Sequence, residues 1–175
     1  AEEEIKESLN STNSVMLIAI DLAYSKIKNI INDTKIYKTV IVSPANSMPK
    51  LLSFGYKLTK GRKIDSPKNS EKFIYWDNFI SRGKNYKDQV LIKRTKNDDA
   101  LILHSGGTTG IPKNIILTNG NINCIIEQAK IIFPEIGTND SFLSILPLFP
   151  CFGLVVCIHA PLCLGASCIL IPQFD

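Results

Sequence analysis

Residues 98–118, DDALILHSGGTTGIPKNIILT, place two apolar runs around a loop that is too long and too glycine-rich for a tight turn. Ala100 to His104 is the first run, and Ile115 to Thr118 the second. Apolar runs bounded by Gly and Pro read as strands joined by a loop. Between them stand Ser105, Gly106, Gly107, Thr108, Thr109 and Gly110, then Ile111, Pro112 and Lys113. Glycine reaches backbone conformations closed to other residues and lets the main chain come close to a ligand. Consecutive N–H groups in such a loop can form a concave nest for an anion. Ser105, Thr108 and Thr109 add hydroxyls, and Lys113 adds a mobile point charge. Together these groups fit a polyphosphate. A flexible Gly/Thr loop with no ligand is the plain alternative.

Two common phosphate loops do not match. A Walker A loop needs G-x-x-x-x-G-K-[ST], but the sixth position from Gly106 is Ile111, and Lys113 is followed by Asn114. A dinucleotide fingerprint needs a Gly two positions after Gly107, where Thr109 stands.

The rest of the chain reads as an α/β layer. Val15–Ile20 and Lys38–Ser43 are short branched apolar runs, hence strands. Asp21 stands where it can cap a helix carrying Leu22, Ile27, Ile30 and Ile31 on one face. Met48–Lys60 reads as a helix with Leu51, Leu52 and Tyr56 as its apolar stripe and Gly61 as its stop. Residues 61–70 are a polar internal break. Phe73–Trp76 reads as a strand, Asp77–Arg82 as a helix and Gln89–Lys93 as a strand. Asn119 or Asn121 caps a helix over Ile122–Phe133. Alternating strands and helices predict a parallel sheet with helices packed on it.

Residues 141–174 contain no Asp, Glu, Lys or Arg, which raises the question of a membrane span. Pro147, Pro150, Gly153, Pro161 and Gly165 argue against one continuous helix. The segment divides instead into a strand Ser141–Leu146, a buried helix Phe152–Leu164 and a strand Ala166–Ile171. No integral membrane span is therefore expected. A net charge of +4 arises from scattered lysines without a nucleic-acid motif, so no nucleic-acid partner is expected. The five cysteines are odd in number and lack C-x-x-C spacing, as for reduced, buried thiols in a cytoplasmic protein. His159 near Cys157 is too little for a metal site, and spacing reveals no Cys-His or Ser-His-Asp set.

SGGTTGIPK, Ser105–Lys113, resembles the signature loop of the adenylate-forming (AMP-binding) enzymes, [ST]-[SG]-G-[ST]-[TS]-G-x-P-K-G. Asn114 replaces the closing Gly. Leu117-Thr118-Asn119-Gly120-Asn121 is similar to L-[ST]-H-x-N, with Asn119 in place of His. Leu146–Gly153, LPLFPCFG, resembles L-P-L-[FY]-H-x-[FY]-G, with Pro150 in place of His. Pro161–Gly165 and Ile171–Asp175 add similarity to the acyl-CoA ligases within that family.

The resemblance implies an α/β fold: a layered sheet with flanking helices, part of the large N-terminal domain of an adenylate-forming enzyme. It implies that residues 1–175 are a partial domain, with the C-terminal domain absent. It implies ATP-dependent activation of a carboxylic acid, in the first place a fatty acid, to an acyl-adenylate and then to acyl-CoA. Ser105, Gly106, Gly107, Thr108, Thr109, Gly110 and Lys113 would then hold the ATP phosphates. Thr108 and Thr109 would face Mg2+, and coenzyme A would be the co-substrate. No catalytic residue is assigned within the chain, and the chain alone is expected to be inactive. The acid, the acceptor and the oligomeric state stay open at this level. So do two other readings: another adenylate-forming class, such as a peptide-synthetase or luciferase relative, and a non-catalytic phosphate-binding module.

Overall fold

The computed structural model describes residues 2–59, 70–88, 91–104, 113–148 and 151–171. They fall into two compact units, Ala1–Val90 and Leu91–Asp175.

In the first unit, β1 (Met16–Ile20), β2 (Lys38–Val42) and β3 (Phe73–Tyr75) form a parallel sheet in the order β1-β2-β3. Parallel neighbours need crossover connections. The first is a short 3-10 turn at Asp21–Ala23 running into α2 (Tyr24–Ile30). The second contains α3 (Lys50–Thr59). The central strand is the most deeply buried, with Val40 and Ile41 fully enclosed. Ile27, Ile31 and Ile36 form the neighbouring core, with Leu9, Leu17 and Phe73 packed against them. Leu22, read as part of the same face, is exposed.

Helix α1 (Glu2–Ser11) has no counterpart in the apolar pattern. Its signal is electrostatic: Glu2, Glu3 and Glu4 occupy the first turn, where carboxylates favour the helix dipole. Leu9 seats it on the core, and Asn10 Nδ2 donates to the Asp33 carbonyl at 3.1 Å. Asn13, with φ of 50°, turns the chain away from α1 toward β1.

Asp21 is not a helix cap. It is buried, and its carboxylate accepts from Ser43 Oγ at 2.5 Å, Leu22 N at 2.8 Å and Tyr56 OH at 3.2 Å. This clamp joins the ends of β1 and β2 to α3. Burial raises the Tyr56 pKa, and the Asp21 carboxylate raises it further. Helix α3 thus faces inward through Ser53 and Tyr56, while Leu51 and Leu52, read as core, are exposed.

Thr39, on β2, is fully buried, and its hydroxyl finds no hydrogen-bond partner among the described residues. An unpaired buried hydroxyl costs about 1–3 kcal/mol. Thr39→Val keeps the branched shape and removes that cost. It is expected to stabilise the protein by about 1 kcal/mol in denaturant unfolding.

Helix α4 (Trp76–Gly83) follows β3, and Asn46 Nδ2 donates to Asp77 Oδ2 at 3.0 Å. Residues 91–95 carry no strand, so the strand read over Gln89–Lys93 is not formed by its described part; Gln89 and Val90 lie outside the described residues.

In the second unit, β4 (Asp99–His104) pairs antiparallel with β5 (Asn114–Thr118), and β5 runs into α5 (Asn119–Ile132). β6 (Ser141–Ser144) pairs in parallel with β7 (Ser167–Leu170). Their crossover is helical: α6 (Cys151–Leu154), a π-helical turn Val155–His159, and α7 (Ala160–Leu164). Gly165, at φ of 83°, ends it in the left-handed conformation.

The π turn has a chemical cause nearby. In an α-helix the Cys157 carbonyl would accept from residue 161, and Pro161 has no N–H. Ser144 Oγ, buried on β6, donates to that carbonyl at 2.6 Å. The uncharged segment is therefore folded as strand, helix and strand. No helix among the described residues is long and apolar enough to cross a membrane.

Candidate functional site

The antiparallel ladder brings the two ends of the glycine-rich loop together. His104, the last residue of β4, pairs with Asn114, the first of β5. The intervening chain is Ser105–Lys113. Residues 105–112 lie outside the described residues, and with them the phosphate-site reading of Ser105, Gly106, Gly107, Thr108, Thr109 and Gly110, including Thr108 and Thr109 as magnesium residues. Lys113 is described and exposed, directly before β5. Asn114 sits in the strand ladder without a positive φ, so its backbone does not call for the glycine of the signature.

The opposite end of the ladder is clamped. Asp98 Oδ2 accepts from Thr95 N at 2.7 Å, and Asp98 N donates to the Thr95 carbonyl at 3.3 Å, closing a turn just before β4. The Thr95 backbone donor holds the Asp98 carboxyl below its ordinary pKa, aided by nearby Arg94. Helix α5 docks on this turn. Asn119 Nδ2 donates to the Thr95 carbonyl at 3.0 Å, Asn119 N to the Asp98 carbonyl at 3.0 Å, and Gly120 N to the Lys96 carbonyl at 2.8 Å. A Cβ on Gly120 would lie 2.9 Å from that carbonyl, tighter than side chains tolerate.

Thr118 caps α5, not Asn119 or Asn121. Thr118 Oγ1 accepts from Asn121 N at 3.2 Å, and Asn121 Oδ1 accepts from Thr118 N at 3.0 Å, a reciprocal capping box. A helix N-terminus often binds anions through its free N–H groups. Here Asn119, Gly120 and Asn121 all spend theirs inside the protein. A phosphate at the other end of β5 would depend on donors from the loop itself.

An apolar cleft of about 370 Å³ opens between β4, α5 and the helical crossover. Leu101, Ile122, Ile158 and Leu162 contribute its walls. His159 and Asn123 give it a polar edge, with His159 Nε2 3.1 Å from Asn123 Oδ1. Cys163 Sγ lies 3.6 Å from His159 Nε2 and 3.8 Å from Nδ1. His159 stands near Cys157 in the sequence, whereas the helix brings it to Cys163 at i+4. That spacing was the available signal. No group of three or more His, Cys, Asp or Glu able to hold a metal occurs among the described residues.

The family model described as AMP-binding enzyme matches residues 1–175. The chain belongs to the AMP-binding enzyme family. Within it, the chain is 27% identical over 178 residues to a long-chain-fatty-acid–CoA ligase of Bacillus subtilis, covering 99% of this chain and 31% of that protein. It is 28% identical over 142 residues to long chain acyl-CoA synthetase 3 of Arabidopsis thaliana, covering 76% of this chain and 21% of that protein. The chain thus spans less than a third of these relatives. Among solved structures, the anthranilate CoA ligase AuaEII in complex with anthranoyl-AMP shares the fold. The TM-score is 0.70 at 17% identity, over 99% of this chain and 29% of that one. These two relatives of the AMP-binding chain are acid–CoA ligases, and its α/β architecture is the one the alternation of strands and helices predicts.

Proposed function

We propose that this chain carries the ATP phosphate-binding loop of an AMP-forming acid–CoA ligase acting on a fatty acid. The observation that supports this most is SGGTTGIPK, set between two strands paired at His104 and Asn114, in a chain matching the AMP-binding family over its whole length. In the reaction, a carboxylate oxygen attacks the α-phosphorus of ATP. The bond to the bridging oxygen breaks, and its electron pair leaves on pyrophosphate. The thiol of coenzyme A then attacks the acyl carbon, gives up its proton and expels AMP.

Ser105, Thr108 and Thr109 hydroxyls, the N–H groups around Gly106, Gly107 and Gly110, and the Lys113 ammonium would bind the β- and γ-phosphates. Donors fixed before reaction neutralise leaving-group charge without reorganising. Thr108 and Thr109 would hold Mg2+, since hydroxyl oxygens suit a hard cation that keeps most of its waters and binds phosphate. Magnesium, when bound, offsets phosphate charge. Residues 1–175 alone would not turn over, because orienting the carboxylate in line with phosphorus requires more of the site than a phosphate loop supplies.

The test is AMP and acyl-CoA formation by the full-length protein with ATP, Mg2+, coenzyme A and a panel of fatty and aromatic acids. The proposal expects AMP release that depends on both a fatty acid and coenzyme A. A protein that folds and binds ATP but releases no AMP with any acid would refute it.

A further inference from the structure

The polar edge of the apolar cleft holds a nucleophile and a base in contact. His159, half-buried, lies between two partners: Asn123 on α5 and Cys163, one turn further along the helical crossover. A carboxamide oxygen only accepts hydrogen bonds. The 3.1 Å contact of Asn123 Oδ1 with Nε2 therefore puts the imidazole proton on Nε2 and leaves Nδ1 as the acceptor. Nδ1 stands 3.8 Å from Cys163 Sγ, within reach of a thiol proton. Cys163 is free and exposed. An amide that fixes the tautomer, an imidazole that takes a proton and a thiol that gives one are the parts of an activated cysteine nucleophile.

The cleft beside this set decides what the thiol meets. Its walls are apolar side chains, and its volume of about 370 Å³ lies within the ~300–1,000 Å³ of small-molecule sites. His159 and Asn123 line it, so an apolar chain in the cleft can present its reactive end to the imidazole. The cleft is not at the phosphate loop. Ala100 and Leu101 lie at the start of β4, and Leu101 is three residues, about 10 Å, from His104, where the loop begins. An acyl group held here stands apart from an ATP held by the loop.

We propose that Cys163 is an acylation site that takes its acyl group from a fatty acyl thioester, with the chain in the cleft and His159 as the base. The thiol proton passes to Nδ1 as the Cys163 sulfur attacks the thioester carbonyl carbon. A new carbon–sulfur bond forms. The bond to the departing thiol breaks with its electron pair on that sulfur, and the imidazolium returns the proton to it. One thioester replaces another, so no oxidant is needed. The choice of a thioester over other apolar electrophiles rests on the ligase reading, whose product is one.

The experiment incubates the full-length protein with octanoyl-CoA or acetyl-CoA in the absence of ATP, so that it can fail or succeed independently of ligase activity. Peptide mass spectrometry locates hydroxylamine-labile adducts, and melting temperatures are measured for each variant. The expected result is octanoylation at Cys163, lost in Cys163→Ser and about a hundredfold slower in His159→Gln, the usual worth of a general base. Acetyl-CoA reacts more slowly, because it leaves the cleft empty. Exposed Cys124, whose sulfur accepts from Gln128 Nε2 at 3.8 Å, is the internal reference. Should His159→Gln melt early, Asn123→Ala decides: it leaves both reacting groups in place and slows acylation about fivefold, the worth of one neutral hydrogen bond. Absence of the adduct at Cys163, an equal rate at Cys124, wild-type rates in both the His159 and Asn123 variants, or equal rates with the two thioesters would each overturn the proposal.

Discussion

Lys113→Ala is expected to lower ATP-dependent acyl-CoA formation by about a hundredfold in the full-length protein. The expectation follows from what one fixed donor to developing negative charge is worth, about 100–1,000-fold in rate. Lys113 is the exposed residue immediately before β5, whose first residue is fixed against His104. Its backbone is therefore anchored even though its side chain is long. The loss should appear mainly in kcat, because negative charge builds up on the leaving pyrophosphate between the ground state and the transition state. Lys113→Arg keeps the charge but changes its shape, and should restore part of the activity. Initial rates at saturating acid and coenzyme A make the comparison. Wild-type rates in Lys113→Ala would remove Lys113 from the phosphate site.

Gly153→Ala is expected to destabilise the fold more than any other Gly→Ala change at a described glycine with ordinary backbone angles. A Cβ there would lie 1.9 Å from the Pro147 carbonyl oxygen and 2.8 Å from its carbon. Both are backbone atoms, so relief requires the chain before α6 to move. Overpacking of this kind costs about 3 kcal/mol, a drop of about 10 °C in Tm for a chain of this size. Gly137→Ala is the control, because a Cβ there meets nothing within 4 Å. Equal melting temperatures for the two variants would contradict this packing. The Gly of the LPLFPCFG segment thus has a structural reason independent of any ligand: it lets α6 start against the Pro147 carbonyl.

Local chemistry was legible in the sequence, and long-range partners were not. Val15–Ile20 and Lys38–Ser43 announced strands because branched apolar residues ran between turn formers, and the structure holds strands at Met16–Ile20 and Lys38–Val42. Periodicity identified α3 as a helix but could not say which face met the core. That depended on Tyr56 finding Asp21, 35 residues away. For the same reason Asp21 read as a cap, when its oxygens serve Ser43 and Tyr56. Helix α1 escaped because its stabilising signal is a row of carboxylates, not an apolar stripe. Pro161 was visible as a helix breaker; Ser144, which supplies the missing donor and lets the helix continue through a π turn, sits on another strand. The loop's chemistry could be read directly, since hydroxyls, glycines and a lysine are properties of residues. What clamps the far end of the ladder could not: the docking of Asn119 and Gly120 on the Thr95–Asp98 turn is a tertiary contact.

The most direct test of the phosphate-loop assignment is acid-dependent exchange of labelled pyrophosphate into ATP. Wild-type full-length protein and Thr108→Ala/Lys113→Ala are compared with a long-chain fatty acid present and absent. Exchange isolates adenylation from the thiol step, so it reports on the bonds the loop is proposed to stabilise. The account predicts fatty-acid-dependent exchange in the wild type and its near-complete loss in a double variant that melts at the wild-type temperature. Undiminished exchange in that variant would contradict the account.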